Sequence, residues 1–358
     1  MFRYKNLKNI HLEITNRCQA SCPMCSRNYH GGLSNPLLKK GEWTLDSFKQ
    51  VMHIDLLNHL EGFYFCGNFG DPIINDDLLK MIEYSHSVNP NLYIRLHTNG
   101  SARSVEWWKE LANSMSENHN VIFALDGLSD THEIYRIGTN YSKILDNAKS
   151  FIDAGGKAEW CFIKFKHNEH QVDEARAVAN SLGFHRFTVK NSSRFVGKNQ
   201  FDVYDKDGKT VYSLYPPGDN KITPITTDII ENYKELVNAS EINCYVQESK
   251  EIYIDAFHNV FPCCFLASIP FNYSPANDLL HDIRNEIHAQ YNHLIETFGG
   301  IENLSALNRS VCEIIESDAW QSAWHYYWTQ NKLITCARTC GKNNISKPKD
   351  QFIEVEQL

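Results

Sequence analysis

Long hydrophobic runs are missing from this sequence. The longest, such as Val121–Leu125, fall far short of the about 20 apolar residues that a membrane-spanning helix needs, so no membrane segment is expected. Positive charge is also scarce: 35 Lys and Arg against 43 Asp and Glu leave a net charge of −8. That balance disfavours a general nucleic-acid binder, which needs a basic face to meet phosphates. The opening MFRYKNLKNI has no apolar core of a signal peptide, which argues against secretion. No internal repeat is visible. What is present is 358 residues, 42% of them hydrophobic, which excludes a wholly disordered chain. At about 150 residues per domain, two domains are expected, or one large α/β domain with an appendage.

Cysteine is in excess, with 11 copies. Disulfides would explain them in a secreted protein, but the opening argues against that compartment. Clustered cysteines in a large chain of a reducing, cytoplasmic compartment more often bind metal.

Six β-rich runs mark the first half: Asn9–Thr15, Gly62–Cys66, Leu92–Thr98, Val121–Leu125, Glu159–Phe165 and Arg186–Lys190. Amphipathic helical patterns separate them. One carries Leu78, Leu79 and Ile82, and another Trp107, Trp108, Leu111 and Met115. A third carries Ile144, Ala148 and Phe151 and stops at Gly155–Gly156. A fourth opens on Asn168-x-x-Gln171, read as a capping box, and stops at Gly183. Strand–helix alternation implies a parallel sheet. Six repeats are too few for an eight-stranded barrel, so the expected fold is α/β, a partial (β/α)6 barrel. The pattern breaks near residue 192. Residues 196–226 are polar, with a turn at Asp205–Gly208 and the pair Pro216–Pro217, and read as a hairpin or excursion. A helical stretch is expected over 276–332 and a loose charged tail from 347.

Cys18-x3-Cys22-x2-Cys25 follows the first run directly. Three thiolates in one short loop hold three corners of a [4Fe–4S] cube and leave the fourth iron open to bind and reduce a substrate. The alternative is a zinc knuckle that borrows a fourth ligand, His11 or His30. The strand-end loops, where α/β barrels carry their sites, hold Gly67-Asn68-Phe69-Gly70-Asp71-Pro72, then Thr98-Asn99-Gly100, then Ala124-Leu125-Asp126-Gly127 with His132 and Arg136, then Lys164 to His170. Taken singly these are plain features: turns, a surface ion pair at Arg136, a helix cap at Asn168, and solvated side chains at Lys164, His167 and His170.

Taken in order, they resemble the radical S-adenosylmethionine (SAM) enzymes over about residues 8–190. The cysteine spacing looks like the family signature, in which SAM chelates the open iron through its amino and carboxylate groups. The resemblance implies that Cys18, Cys22 and Cys25 hold the cluster and that Met24, at a position often aromatic, packs on adenine. Gly70, Asp71 and Pro72 stand for the family's GGEP, with Asp71 replacing Glu. Thr98 and Asn99 would line the SAM pocket. Asp126 to Arg136 is similar to a stretch of the subgroup containing anaerobic sulfatase-maturating enzymes, which assigns Arg136 to the SAM carboxylate. Ala124 replaces a family Ser, so that contact is lost or replaced.

Cys244, Cys263, Cys264, Cys336 and Cys340 fall in the last third. They look like the SPASM/twitch extension of such enzymes, which holds auxiliary [4Fe–4S] clusters. The C-x2-C-x5-C segment of the full seven-cysteine SPASM form is not found, so the shorter twitch form with one cluster suits better. The expected ligands are Cys244, Cys263, Cys336 and Cys340, with Cys264 an alternative ligand or packing. The family's glycine before the second cysteine appears as His258 or Asn259. Tetrahedral zinc is again the alternative. Cys66, Cys161 and Cys312 read as buried free thiols. Trp320, Trp324, Tyr327 and Trp328 read as packing between extension and barrel, with a substrate-cavity wall the alternative for part of the stripe.

The resulting expectation is a barrel over 1–192, a linker with hairpin and helix over 193–243, a twitch-like domain with a helical insertion over 244–346, and a tail. The expected activity is reductive cleavage of SAM to a 5′-deoxyadenosyl radical and hydrogen abstraction from a peptide or small molecule. A flavodoxin- or ferredoxin-type reductant would supply the electron. The barrel starts about ten residues from Met1, which leaves no room for an N-terminal peptide-binding domain, although the insertion at 265–335 offers one. The competing class is a non-catalytic metal-stabilised scaffold or an electron carrier.

Overall fold

The six β-rich runs form six parallel strands in the computed structural model, which describes residues 1–192, 194–195, 199–219, 232–272, 281–342 and 352–358. In chain order the strands are β1 (Asn9–Leu12), a small hairpin of β2 (Asn28–Tyr29) and β3 (Leu33–Ser34), β4 (Gly62–Phe65), β5 (Tyr93–Thr98), β6 (Asn120–Ala124), β7 (Ala158–Lys164) and β8 (Arg186–Asn191). A second hairpin of β9 (Phe201–Tyr204) and β10 (Thr210–Leu214) follows, then β11 (Glu251–Ile254), β12 (Val260–Phe261) and β13 (Phe352–Gln357). One nine-stranded sheet runs β12-β11-β1-β4-β5-β6-β7-β8-β13. Everything from β11 to β8 is parallel, and the two edge strands are antiparallel. The expected partial (β/α)6 barrel is the β1-to-β8 part of this sheet.

Side-chain alternation explains the strands. Ile10 and Leu12, Phe63 and Phe65, Ile94 and Leu96, and Val121 and Phe123 are essentially inaccessible and share one core with the helices. The alternate positions carry His11, Tyr64, Arg95, His97 and Glu159. Between strands run helices at Leu78–Val88, Val105–Ser114, Tyr141–Asp153 and Val172–Leu182. Ser104 caps the second by accepting from the Trp107 N–H. Gly155 and Gly183 follow the last two at φ +95° and +89°, the left-handed conformation that glycine takes without a Cβ clash.

Three readings need correction. Asn168 does not cap a helix. Its carbonyl accepts from Phe165 N–H at 2.7 Å, and its amide donates to the carbonyls of Asp126 at 3.1 Å and Ile163 at 3.0 Å. Gln171, the other half of the supposed capping box, binds Leu128 N–H and Asp130 instead. The fully buried Asn168 thus ties the end of β7 to the loop after β6, because a buried amide with four hydrogen-bonding positions finds more partners there than at an open helix end. The charged tail is not loose: Phe352–Gln357 pairs with β8, and Arg176 draws in Glu354 and Glu356. Residues 343–351 lie outside the described residues, as do parts of the 196–226 excursion. Finally, β11 and β12, from the segment expected as a separate domain, extend the barrel sheet beside β1.

The helical insertion has helices at His281–Thr297, Val311–Glu316 and Asp318–Thr329. Among the described residues no helix is long and apolar enough to cross a membrane.

Candidate active site

After β1 the chain turns at once into the cysteine loop. Cys25 N–H donates to Cys22 C=O at 2.9 Å and Ser21 N–H to Ile137 C=O at 2.7 Å, while the Arg27 guanidinium donates to Ala20 C=O. Gly138 (φ +81°) lets the loop after β6 press on this turn, since a Cβ there would stand 3.1 Å from Gln19 C=O. Cys22 is buried, and Cys18 and Cys25 are half-buried. Burial pushes the Cys18 thiol up to about 12 and raises Cys22 as well. Such thiols stay protonated unless a positive centre holds them as thiolates.

The strand-end loops close around these sulfurs. Asp71 is buried and accepts from Thr98 Oγ1 at 2.8 Å and Asn99 N–H at 2.7 Å. Burial pushes its carboxyl up to about 6 against those donors. The Asn99 amide also donates to Asp71 and reaches Cys18 Sγ at 3.5 Å, and Gln19 Nε2 donates to Asn99 Oδ1 at 2.6 Å. Pro72 opens a single 3-10 turn, Pro72–Ile74, which Asp71 caps by accepting from the Ile73 N–H at 3.2 Å. Arg136 Nε donates to Asp126 Oδ2 at 2.6 Å, and its Nη1 stands 4.0 Å from Cys22 Sγ. Asp126 is inaccessible and also accepts from Ile163 N–H at 2.6 Å. Burial raises its carboxyl, and the guanidinium beside it pulls the other way. Arg136 is therefore no surface ion pair, for its side chain is only 15% exposed. Met24 sits in a small apolar cluster with Cys22, Tyr135 and Phe165.

Gly70, Asp71, Thr98, Asn99, Asp126 and Arg136 thus lie together with the three cysteines at the carboxyl ends of β1, β4, β5 and β6. Of the three side chains read as solvated, His170 is exposed, but Lys164 is half-buried and pairs with Asp219 at 2.6 Å, and His167 is half-buried and stacks on Phe165. Both candidates for a fourth zinc ligand make other contacts, His30 through Nδ1 to Asp202 C=O. His11 Nε2 bonds Cys66 C=O at 2.6 Å, and His30 is stacked between Phe201 and Tyr204.

Glu13 was missed from the sequence. It is buried, accepts from the Phe69 and Gly70 N–H groups at 2.7 and 3.1 Å, and receives the Tyr253 hydroxyl. It therefore shapes the Gly67–Pro72 loop from below. Gly70 is required there: a Cβ would lie 1.8 Å from Thr15 C=O. The signal was an acidic residue inside the apolar run Asn9–Thr15. His132 was quoted without a role. It is inaccessible, with Nδ1 accepting from Asp126 N–H at 3.2 Å and Nε2 meeting Thr139 Oγ1 at 3.1 Å. Burial lowers it to about 3, which keeps it neutral.

Cys244, Cys263, Cys336 and Cys340 line one cavity, walled also by Pro262, Trp324 and Trp328. The four come from distant stretches brought together by β12 and the helix Ile334–Cys340. The Cys244 and Cys340 thiols lie close enough to couple, which lowers Cys340 and raises Cys244. The Trp328 N–H lies near enough to Cys336 to oppose the effect of burial on that thiol, without the alignment of a hydrogen bond. Among the described residues no three His, Cys, Asp or Glu side chains are drawn together tightly enough to hold a single metal ion. Cys264 is elsewhere: it opens the short helix Cys264–Ala267, and its carbonyl receives Asn68 Nδ2 at 3.1 Å. His258 adopts φ +69°, so of the two residues at the family's glycine position it is His258 that takes the left-handed backbone.

Residues 12–179 match the family model of the Radical SAM superfamily. A curated relative, the PqqA peptide cyclase of Bradyrhizobium diazoefficiens, is 26% identical over 182 residues, which is 50% of this chain and 45% of the relative. The chain thus matches about half the length of that relative. Among solved structures, SuiB of Streptococcus suis bound to the precursor peptide SuiA aligns with a TM-score of 0.50 at 14% identity, over 78% of this chain and 64% of that one. The anSMEcpe protein with bound AdoMet and a peptide aligns with a TM-score of 0.53 at 13% identity, over 96% and 92% of the two chains. These likenesses concern the fold. The match marks residues 12–179, just under half of the chain, as a radical SAM domain.

Proposed function

We propose that this chain reductively cleaves SAM and uses the resulting radical to abstract hydrogen from a peptide or small-molecule substrate. The observation that carries the proposal is the direct contact between the residues assigned to SAM and those assigned to the cluster. Asn99 touches Cys18, and Arg136 stands beside Cys22 while held by Asp126. A molecule chelating an iron held by Cys18, Cys22 and Cys25 would meet both groups. When bound, the cluster supplies one electron to SAM, giving methionine and a 5′-deoxyadenosyl radical. Arg136 then fixes the SAM carboxylate with its free guanidinium edge, its Nε being occupied by Asp126. Asp71 orients Thr98 and Asn99 at the pocket wall, and Glu13 holds the Gly67–Pro72 loop so that its backbone faces the amino group.

Cys244, Cys263, Cys336 and Cys340 are proposed as ligands of one auxiliary [4Fe–4S] cluster that relays the electron left by substrate oxidation. The reading is supported by their shared cavity and by the placement of Cys264 outside it. A flavodoxin- or ferredoxin-type donor is the proposed reductant, and a reducing cytoplasm the proposed setting. The names of the relatives, a peptide cyclase and two proteins solved with peptides, favour a peptide substrate.

Anaerobic reconstitution tests the whole reading. The expected result is two cubes, about eight irons per chain, and 5′-deoxyadenosine formed from SAM and dithionite. Two zinc ions, no iron and no SAM cleavage would sink it in favour of a scaffold or a plain electron carrier, and SAM cleavage that survives Cys22→Ala would overturn the site assignment.

A further inference from the structure

Trp324 and Trp328 lie one turn apart on the helix Asp318–Thr329, and both rings face the cavity shared by the four cysteines. The indole Nε1 of each is buried and has no hydrogen-bond partner among the described residues. Trp324 as a whole is inaccessible. An orphaned buried donor is destabilising, and native proteins keep few of them. An indole can only donate, so each Nε1 requires an acceptor. Beside the hydroxyls of Thr335 and Thr339, four cysteine sulfurs are the acceptor chemistry that the cavity offers.

We propose that Trp324 and Trp328 donate N–H···S hydrogen bonds to the [4Fe–4S] cluster held by Cys244, Cys263, Cys336 and Cys340, and thereby raise its reduction potential. The inference rests on the ligand set proposed above. The physical cause is the direction of the N–H dipole. Its positive end faces the cluster, and the added electron of the reduced state is stabilised more than the oxidised state. Both indoles are tuning residues and take no part in bond breaking. Trp320 is an internal control on the same helix. Its Nε1 is equally without a partner, but it packs against Phe298 and does not line the cavity.

The test is a redox titration of the anaerobically reconstituted full chain, followed by electron paramagnetic resonance. Trp324→Phe and Trp328→Phe keep an aromatic ring and delete the donor. Each single variant is expected to move the auxiliary midpoint to a more negative potential. The double variant should change the reduced-to-oxidised ratio at fixed potential by about tenfold, which is about 59 mV for a one-electron couple. The midpoint of the SAM-binding cluster, and both midpoints in Trp320→Phe, should stay put. An unchanged auxiliary midpoint in a double variant with full iron content overturns the inference. Should the variants lose iron, wild-type protein carrying indole-15N tryptophan decides. A 15N coupling at the auxiliary cluster is expected, and its absence overturns the inference. If the wild type holds only the SAM-binding cluster, the ligand reading itself has failed, which is a separate and recognisable outcome.

Discussion

The two cysteine sets are built in opposite ways. Cys18, Cys22 and Cys25 sit on one turn, Cys22 buried and the other two half-buried, among polar side chains that reach the sulfurs: Asn99, Arg136 and the linked Gln19 and Asp71. Cys244, Cys263, Cys336 and Cys340 come from distant stretches and face aromatic and aliphatic walls. A loop with three ligands and polar neighbours can admit a charged molecule to a vacant corner. A cavity with four ligands and apolar walls shields its contents from water, which favours electron transfer over ligand exchange. The first arrangement suits a site of chemistry, the second a store or relay.

That contrast can be broken at its strongest point first. Cys22→Ala should reduce 5′-deoxyadenosine formation to background while leaving the signal of the auxiliary cluster. Cys336→Ala should do the reverse, dropping the iron content from about eight to about four while SAM cleavage persists at a measurable rate. If both variants lose all iron, the two sites are not independent. Next in size is Arg136→Lys, which keeps the charge but loses the planar fork. SAM affinity should fall about tenfold, equivalent to about 1.4 kcal/mol, as read by equilibrium binding to the reconstituted protein. The smallest effect concerns Glu251, which receives the Tyr64 hydroxyl at 2.9 Å and whose carboxyl burial pushes up to about 7. A carboxylate raised in the folded state contributes stability that is full below its unfolded value near 4.5 and is lost as pH rises through about 7. Glu251→Gln should therefore flatten the decline of Tm between about pH 4.5 and pH 7.

The barrel was legible because its strands carry β-branched and aromatic runs closed by turn residues, and because glycines such as Gly155 and Gly183 end the helices. The cysteine loop was legible from spacing alone. Phe352–Gln357 was not, since its Glu354 and Glu356 read as a charged tail. Their ion partner Arg176 is far away in sequence, and no local pattern announces it. Glu251–Ile254 is equally short, and its place beside β1 is a long-range fact. Asn168 shows the limit of motif reading: the residues of a capping box were present, but buried carbonyls nearby offered the amide better partners. Glu13 shows another, for its importance depends on a loop more than 50 positions away.

The seat of β11 beside β1 bears on how the chain acquires its fold during synthesis. The strand that begins the sheet, Asn9–Leu12, waits for Glu251–Ile254 to cover its second edge. Until then an early-made strand shows unpaired backbone groups along one side, a template for pairing with other chains. Closing such a large loop is slow compared with local helix formation. A nascent chain stalled before residue 251 would thus carry a barrel open at its founding strand. Chaperone capture and aggregation should concentrate in that interval of translation.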